Sequence, residues 1–261
     1  MYISNRYVWL FFYKECSIKR KREYIGLCRK GEGYYMNEMT STQKKLSCVL
    51  KVIVILSAFI GTGISAYGDR NVFFCGLNIF MYFTNQSNIV IAVICAVGLY
   101  LIVKNKKISE LHYIVKYVGT VAITLTGVVF IAVLAPASGP EAWDLHNVLA
   151  HIVVPIASIA DFFVIIPGVK FKKKDVLYVI IPPLIYVIYA GIGYVRGWDF
   201  YEGNTYPYFF LNWGSPAGAF GFIKESPFMG CVWWILALLI FLIIMGYVYL
   251  VIVDHMGKKS K

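Results

Sequence analysis

Six long stretches of apolar residues constrain the fold of this chain more than any other feature of its sequence. Each stretch is long enough to cross the hydrocarbon core of a bilayer, which takes about 20 residues of α-helix. The stretches are approximately 46–67, 76–103, 113–136, 147–168, 176–195 and 228–253. Their apolar residues do not alternate with polar ones, which argues against an outer-membrane β-barrel. The sequence therefore predicts an all-α polytopic membrane protein, a bundle of six transmembrane helices over residues 46–253.

The composition agrees with this prediction. Hydrophobic residues make up 59% of the chain and charged residues 15%, whereas soluble domains are closer to half apolar and a quarter charged. In a soluble protein, a net charge of +11 would suggest binding to nucleic acid. Here the basic residues flank the apolar stretches, so we expect contact with membrane lipid and no nucleic-acid partner.

Lysine and arginine fall mainly on one predicted side of the membrane. That side, with Lys51 and Lys116 counted at the membrane edge, holds 22 of the 25 basic residues, and the other side holds only Arg70, Arg196 and Lys224. Cytoplasmic loops are the ones enriched in lysine and arginine. Both termini are therefore predicted to be cytoplasmic, and we expect the protein in a bacterial plasma membrane.

Two basic tails, residues 1–45 and 254–261, lie outside the predicted bundle. We expect the first tail to be disordered, or its residues 1–35 to be dispensable or to precede a natural start at Met36. The six cysteines include no CxxC pair, so neither a metal site nor another cofactor is expected. Cys75 and Cys231 lie near predicted outer helix ends and could meet, although two free thiols are the favoured interpretation.

The second stretch contains five consecutive polar side chains, and such side chains inside a membrane are functional candidates because they are costly to bury. Three of the five share one helix face at about 100° per residue, so that face must point into the bundle or a wet cavity. Hydrogen bonding between helices is the alternative explanation. The five residues are Thr84, Asn85, Gln86, Ser87 and Asn88, and the shared face consists of Thr84, Ser87 and Asn88.

The fourth stretch carries a second polar stripe, formed by Asn147, His151, Ser158 and Asp161. An uncharged Asp161 would serve as a hydrogen-bonding pin, whereas a charged Asp161 would need a cation such as lysine or a proton. At 1.5 Å per residue, Asp161 lies about 15 Å below His151 along the helix. It is therefore too far away to orient the imidazole, which excludes a Ser-His-Asp type of triad.

Helix depth places Thr84 about 12 Å and His151 about 6 Å below the predicted outer surface. Residues at such similar depths can meet, which predicts a pair in which His151 takes the hydroxyl proton and Thr84 attacks an acyl carbon. The oxyanion formed in that attack needs hydrogen-bond donors. The candidates are the neighbouring side chains of Asn85, Gln86, Ser87 and Asn88.

Three segments together resemble the androgen-induced protein family, which includes the androgen-dependent regulator of tissue-factor-pathway inhibitor. They are YFTNQSN at 82–88, HIVVP at 151–155 and YPYFFL at 206–211. The resemblance is strongest to the bacterial multi-pass branch and covers about residues 46–253. It implies about six spans and an intramembrane threonine and histidine, which in animal members hydrolyse fatty acid esters of hydroxy fatty acids. Carried over by position, Thr84 would be the nucleophile and His151 the base.

Two other functions stay open at this point. A transporter or receptor would use a polar path lined by Thr84, Asn88, His151 and Asp161, with Ser158 along the same stripe. A structural or assembly protein would use the polar side chains only to pack its helices. The aromatic segment 196–227 is expected either to fold back as a lid over the Thr84 and His151 mouth or to lie among lipid headgroups.

Overall fold

A computed structural model describes residues 39–67, 77–165 and 171–259. The chain divides into two compact units, 1–36 and 37–261, and the described residues belong to the second. The predicted tail up to residue 38 and Cys75 lie outside the described residues. Within those residues the secondary structure is helical, with two isolated β-bridges and no strand.

Six helices are long and apolar enough to cross a membrane, which confirms the predicted all-α architecture and indicates an integral membrane protein. Their bounds are α1 Ser41–Tyr67, α2 Phe83–Val103, α3 Glu110–Leu134, α4 Leu145–Ile165, α5 Lys173–Arg196 and α6 Cys231–Lys259.

Capping side chains, rather than the first apolar residue, decide where α1 and α3 begin. The Thr40 hydroxyl accepts the Gln43 N–H at 3.2 Å, and the Gln43 side chain accepts the Thr40 N–H at 2.9 Å. This reciprocal capping box starts α1 at Ser41, inside the segment predicted to be a tail. Likewise, the Ser109 hydroxyl accepts the His112 N–H, so α3 begins three residues before the predicted position.

The start of α2 differs most from the prediction. Residues Leu77–Met81 form a 3₁₀ helix, and Tyr82 is extended with φ −89° and ψ 140°. The buried Tyr82 ring packs edge-on against Phe200 and Tyr208, and hydropathy cannot foresee this contact. As a result, Thr84 lies in the first turn of α2. The predicted helix began at about residue 76 and would have placed Thr84 deeper in the span.

The first four helices form a closed ring. Helix α1 packs against α2 and α4, and α3 packs against the same two helices from the other side. Helix α6 packs against α3 and the first part of α5. This antiparallel arrangement brings the end of α1 and the starts of α2 and α4 together at one end of the bundle, where the polar cavity described below lies.

Two of the helices contain a wide π-helical turn, one at Phe130–Leu134 in α3 and one at Leu149–Val153 in α4. Each turn ends two residues before a proline, Pro136 or Pro155. Proline has no N–H to donate, and its ring crowds the carbonyl four residues earlier. A π turn relieves this conflict within a continuous helix, and such turns occur often at functional sites.

Candidate functional site

A polar cavity of about 50 Å³ lies at the end of the bundle where α2 and α4 begin. Thr84 and Asn85 border it from α2, and Asn147 and His151 border it from α4. Tyr208, from the long segment between α5 and α6, also borders it, as do Ser65 and Tyr82. The structure therefore brings the predicted nucleophile and the predicted base to one cavity.

The π turn of α4 carries His151 and fixes the orientation of its ring. Nδ1 lies 3.0 Å from the Asn147 carbonyl oxygen, and the ring stacks on Phe130 with centroids 4.1 Å apart and planes 22° apart. A carbonyl can only accept, so Nδ1 carries the proton in this contact. Nε2 is then the nitrogen with the free lone pair, which is the form that a general base requires.

Two glycines allow the neighbouring helices to approach the His151 turn closely. A Cβ at Gly127 of α3 would lie 3.0 Å from the His151 carbonyl oxygen and 3.3 Å from the Pro155 ring. A Cβ at Gly61 of α1 would lie 3.2 Å from the His146 carbonyl oxygen. Both contacts are with backbone or with a rigid ring, so the neighbours have little freedom to move. The two glycines therefore help to set the position of the histidine.

The Thr84 hydroxyl and the His151 ring border the cavity without bonding to each other, since no hydrogen bond joins them within the described residues. Hydrogen bonds of catalytic pairs are often long in a ligand-free enzyme and shorten only when substrate binds.

Only one of the four predicted oxyanion donors, Asn85, borders this cavity. The Gln86 amide donates to the Phe80 carbonyl, and the Ser87 hydroxyl pairs with that of Thr126 at 3.0 Å. The Asn88 amide donates to the carbonyls of Thr84 and Ala150. Ser87 and Asn88 are buried and join neighbouring helices, which is the alternative that the sequence left open for them.

An apolar cavity of about 70 Å³ adjoins the polar one and was not foreseen from the sequence. Thr84, Leu134 and Tyr208 border both cavities. The lining of the apolar cavity comes from four helices and the segment between α5 and α6, so no local pattern could have shown it. Among its other lining residues are Leu125, Val129, Phe210, Leu211 and Leu239.

Asp161 lies in an ion cluster nearer the other end of the bundle. One of its oxygens is 2.6 Å from the Lys51 ammonium, and the other is 2.7 Å from the Lys116 ammonium. The Ser47 hydroxyl also donates to Asp161 at 2.7 Å. Of the alternatives that the sequence left open for Asp161, these contacts support a charged carboxylate with lysine as its cation. The sequence did not identify Lys51 and Lys116 as these partners, and their side chains are only 1% and 0% exposed.

The polar stripe predicted on α4 does not form one lining. Ser158 and Asp161 are fully buried and do not border the polar cavity, and the Ser158 hydroxyl has no hydrogen-bond partner within the described part of the chain. The π turn at His151 is wider than an α-helical turn, so a uniform 100° step does not hold across it. Cys231 is a free thiol, and its suggested partner Cys75 lies outside the described residues.

No family model matches the sequence, and no curated protein or solved structure is significantly similar to it.

Proposed function

We propose that the protein is an intramembrane hydrolase of lipid esters, with Thr84 as nucleophile and His151 as general base. The observation that carries this proposal is the shared polar cavity, in which Thr84 faces a histidine whose Nδ1 is already bound to a carbonyl. The resemblance to the androgen-induced family points to the same two residues.

The reaction follows the usual course of nucleophilic ester hydrolysis. His151 Nε2 removes the Thr84 hydroxyl proton while the oxygen forms a bond to the ester carbonyl carbon. The resulting oxyanion collapses, the bond to the leaving alcohol breaks, and His151 returns the proton to that alcohol. Water, deprotonated by His151, then attacks the acyl-threonine ester and releases a carboxylic acid and free Thr84.

The adjoining cavities fit the two parts of such a substrate. The apolar cavity, of about 70 Å³, suits the part of the acyl chain next to the ester group because carbon side chains line most of it, whereas the polar cavity, of about 50 Å³, suits the alcohol side of that group. Because Thr84 borders both, an ester carbonyl beside it can have its acyl chain on one side and its alcohol on the other. We place the site in the outer half of a bacterial plasma membrane, with both termini in the cytoplasm.

The test is hydrolysis of a defined long-chain fatty acid ester by the purified protein in detergent. Thr84→Ala and His151→Gln are each expected to abolish turnover, and Thr84→Ala is also expected to abolish labelling by a fluorophosphonate. Matched controls are Thr62→Val and His146→Gln, whose side chains do not border the polar cavity. Equal turnover and equal labelling of wild type and Thr84→Ala would contradict the proposal.

A second candidate function, transport, is favoured by one observation. Lys51, Lys116 and Asp161 are ionisable and buried inside the bundle, and such groups serve as proton relays in membrane transporters. A proton-coupled transporter would acidify liposomes that contain a pH-sensitive dye under an imposed gradient, and Asp161→Asn would abolish the flux while Thr84→Ser would not. Flux equal to that of empty liposomes would contradict this alternative.

A further inference from the structure

Tyr208 occupies the junction of the two cavities although it lies in none of the six long helices. It belongs to the segment between α5 and α6 and borders both the polar and the apolar cavity, as Thr84 does. The aromatic segment therefore folds back into the bundle at this point. Its tyrosine therefore lies next to the position that the carbonyl group of the proposed ester substrate would take.

Aromatic neighbours hold the Tyr208 ring in one orientation. It stacks on Phe210 with centroids 5.1 Å apart and planes 3° apart. It also meets Tyr82 edge-on at 5.7 Å and Tyr186 at 6.1 Å. These ring contacts fix the position of the phenol oxygen, while the O–H bond can still rotate. A donor whose oxygen is already in place needs little reorganisation during a reaction, which makes it effective.

Tyr208 reaches the first turn of α2, where its hydroxyl lies close to the Thr84 side chain and to the backbone of Phe83 and Thr84. The first N–H groups of a helix have no partner within the helix, and the Tyr82 side chain at the N-cap does not supply one. The phenol group thus lies beside the proposed nucleophile, with which it borders both cavities.

Tyr208 also keeps its proton. Burial raises the pKa of its hydroxyl above the usual value, and the polar groups of the neighbouring Thr84 and Phe83 oppose this shift only in part. The phenol is therefore neutral at physiological pH and remains a hydrogen-bond donor.

We infer that Tyr208 is a catalytic residue whose hydroxyl donates a hydrogen bond to the carbonyl oxygen of the ester as that oxygen becomes an oxyanion. The inference rests on the proposed hydrolase function and extends it, because none of the oxyanion donors predicted from the sequence came from this segment. When the substrate enters, its carbonyl oxygen takes the acceptor position near the phenol, and the Tyr208 O–H turns from its present neighbours to the substrate. Asn85, which borders the polar cavity, is positioned to act as a second donor.

The test is the steady-state kinetics of Tyr208→Phe, which removes the hydroxyl and keeps the ring contacts. Loss of a single oxyanion donor lowers kcat by about 10²–10³-fold, with KM for the long-chain ester nearly unchanged. Tyr249→Phe is the matched control, since it removes a hydroxyl that pairs with Thr124 at 2.9 Å and borders neither cavity. Its kcat is expected to equal that of the wild type.

A second measurement separates a catalytic role from a structural one. An alkyl boronic acid that adds to Thr84 forms a tetrahedral adduct resembling the oxyanion intermediate. Tyr208→Phe should weaken its binding about as much as it lowers kcat, whereas binding of the fatty acid product and the melting temperature should change little. Unchanged kcat and boronate affinity in Tyr208→Phe, with Thr84→Ala inactive, would overturn the inference alone. Full activity of Thr84→Ala would overturn the proposed hydrolase as well.

Discussion

At the scale of single residues, the buried carboxylate of Asp161 illustrates how a charge is tolerated inside an apolar bundle. It has contacts with two ammonium groups and one hydroxyl, so each oxygen is paired. The Lys51 ammonium has a further contact with Ser47 at 2.8 Å, and that of Lys116 has one with Cys95 at 3.3 Å. These contacts join the four ring helices, because the participating residues come from α1, α2, α3 and α4.

Removing the negative charge of this cluster is predicted to destabilise the protein strongly. Asp161→Asn leaves two buried ammonium groups without a counter-charge, and breaking a buried pair costs about 3–5 kcal/mol. The melting temperature in detergent should fall sharply, while Asp144→Asn, an exposed aspartate at the start of α4, should have little effect. The triple variant Lys51→Met, Asp161→Leu, Lys116→Met should recover much of the lost stability. A single Asp161→Asn variant as stable as the wild type would contradict this account.

At the scale of secondary structure elements, prolines determine where the helices depart from regular α geometry. The two π turns end two residues before Pro136 and Pro155, and the 3₁₀ segment Lys173–Ile180 ends two residues before Pro182. The sequence thus contained a signal for the turn that orients His151. A helical period averaged over the whole span could not reveal this π turn. Periodicity depends on side-chain hydropathy, and hydropathy does not record that proline lacks a backbone N–H.

The close contact of α3 with the π turn of α4 yields a prediction for Gly127→Ala. The new Cβ would lie 3.0 Å from the His151 carbonyl oxygen, so α4 must shift by a few tenths of an ångström. Small displacements of catalytic groups lower turnover strongly, and we expect kcat on the long-chain ester to fall by about tenfold or more. Gly63→Ala, where nothing lies within 4 Å of the added Cβ, should keep wild-type turnover. Equal activities of the two variants would refute the proposed close-packing role of Gly127.

At the scale of the whole molecule, the ring of α1 to α4 separates two polar regions. The polar cavity lies where α2 and α4 begin, and the ion cluster lies farther along the same helices. Helix α6 and the segment after α5 complete the apolar cavity. A substrate that is itself a membrane lipid can reach such a site from the bilayer, so no large aqueous opening is needed.

If the protein is the proposed hydrolase, filling the apolar cavity is predicted to change the acyl chains that it accepts. Leu239→Phe adds volume to the lining of that cavity, so kcat/KM should fall about tenfold for a long-chain ester and stay unchanged for an acetate ester. Leu236→Phe is the control because Leu236 lies on the same helix but is 44% exposed. A uniform loss for both esters would contradict the assignment of this cavity to the acyl chain.

The proposed orientation of the bundle can be tested with single cysteines in a variant that lacks the native ones. Lys224→Cys and Lys106→Cys replace exposed residues at opposite ends of the bundle. Ten basic residues outside the first tail, excluding the buried Lys51 and Lys116, fall on the predicted cytoplasmic side and three on the other. A membrane-impermeant maleimide should therefore label Lys224→Cys in intact cells and Lys106→Cys only after permeabilisation. The reverse pattern would invert the proposed topology.

The sequence by itself determined that this chain is a bundle of six apolar helices, because the length and hydropathy of each span are local properties that the bilayer thickness constrains. It also identified Thr84, His151 and Asp161 as the polar groups that need an explanation, and it named a cation such as lysine as one possible partner of a charged Asp161. Only the tertiary structure decided which lysines pair with Asp161, which of the consecutive polar residues on α2 face the cavity, and that Tyr208 joins the site. These outcomes depend on contacts between segments far apart in the chain, and a helical period or a local motif carries no information about such distances.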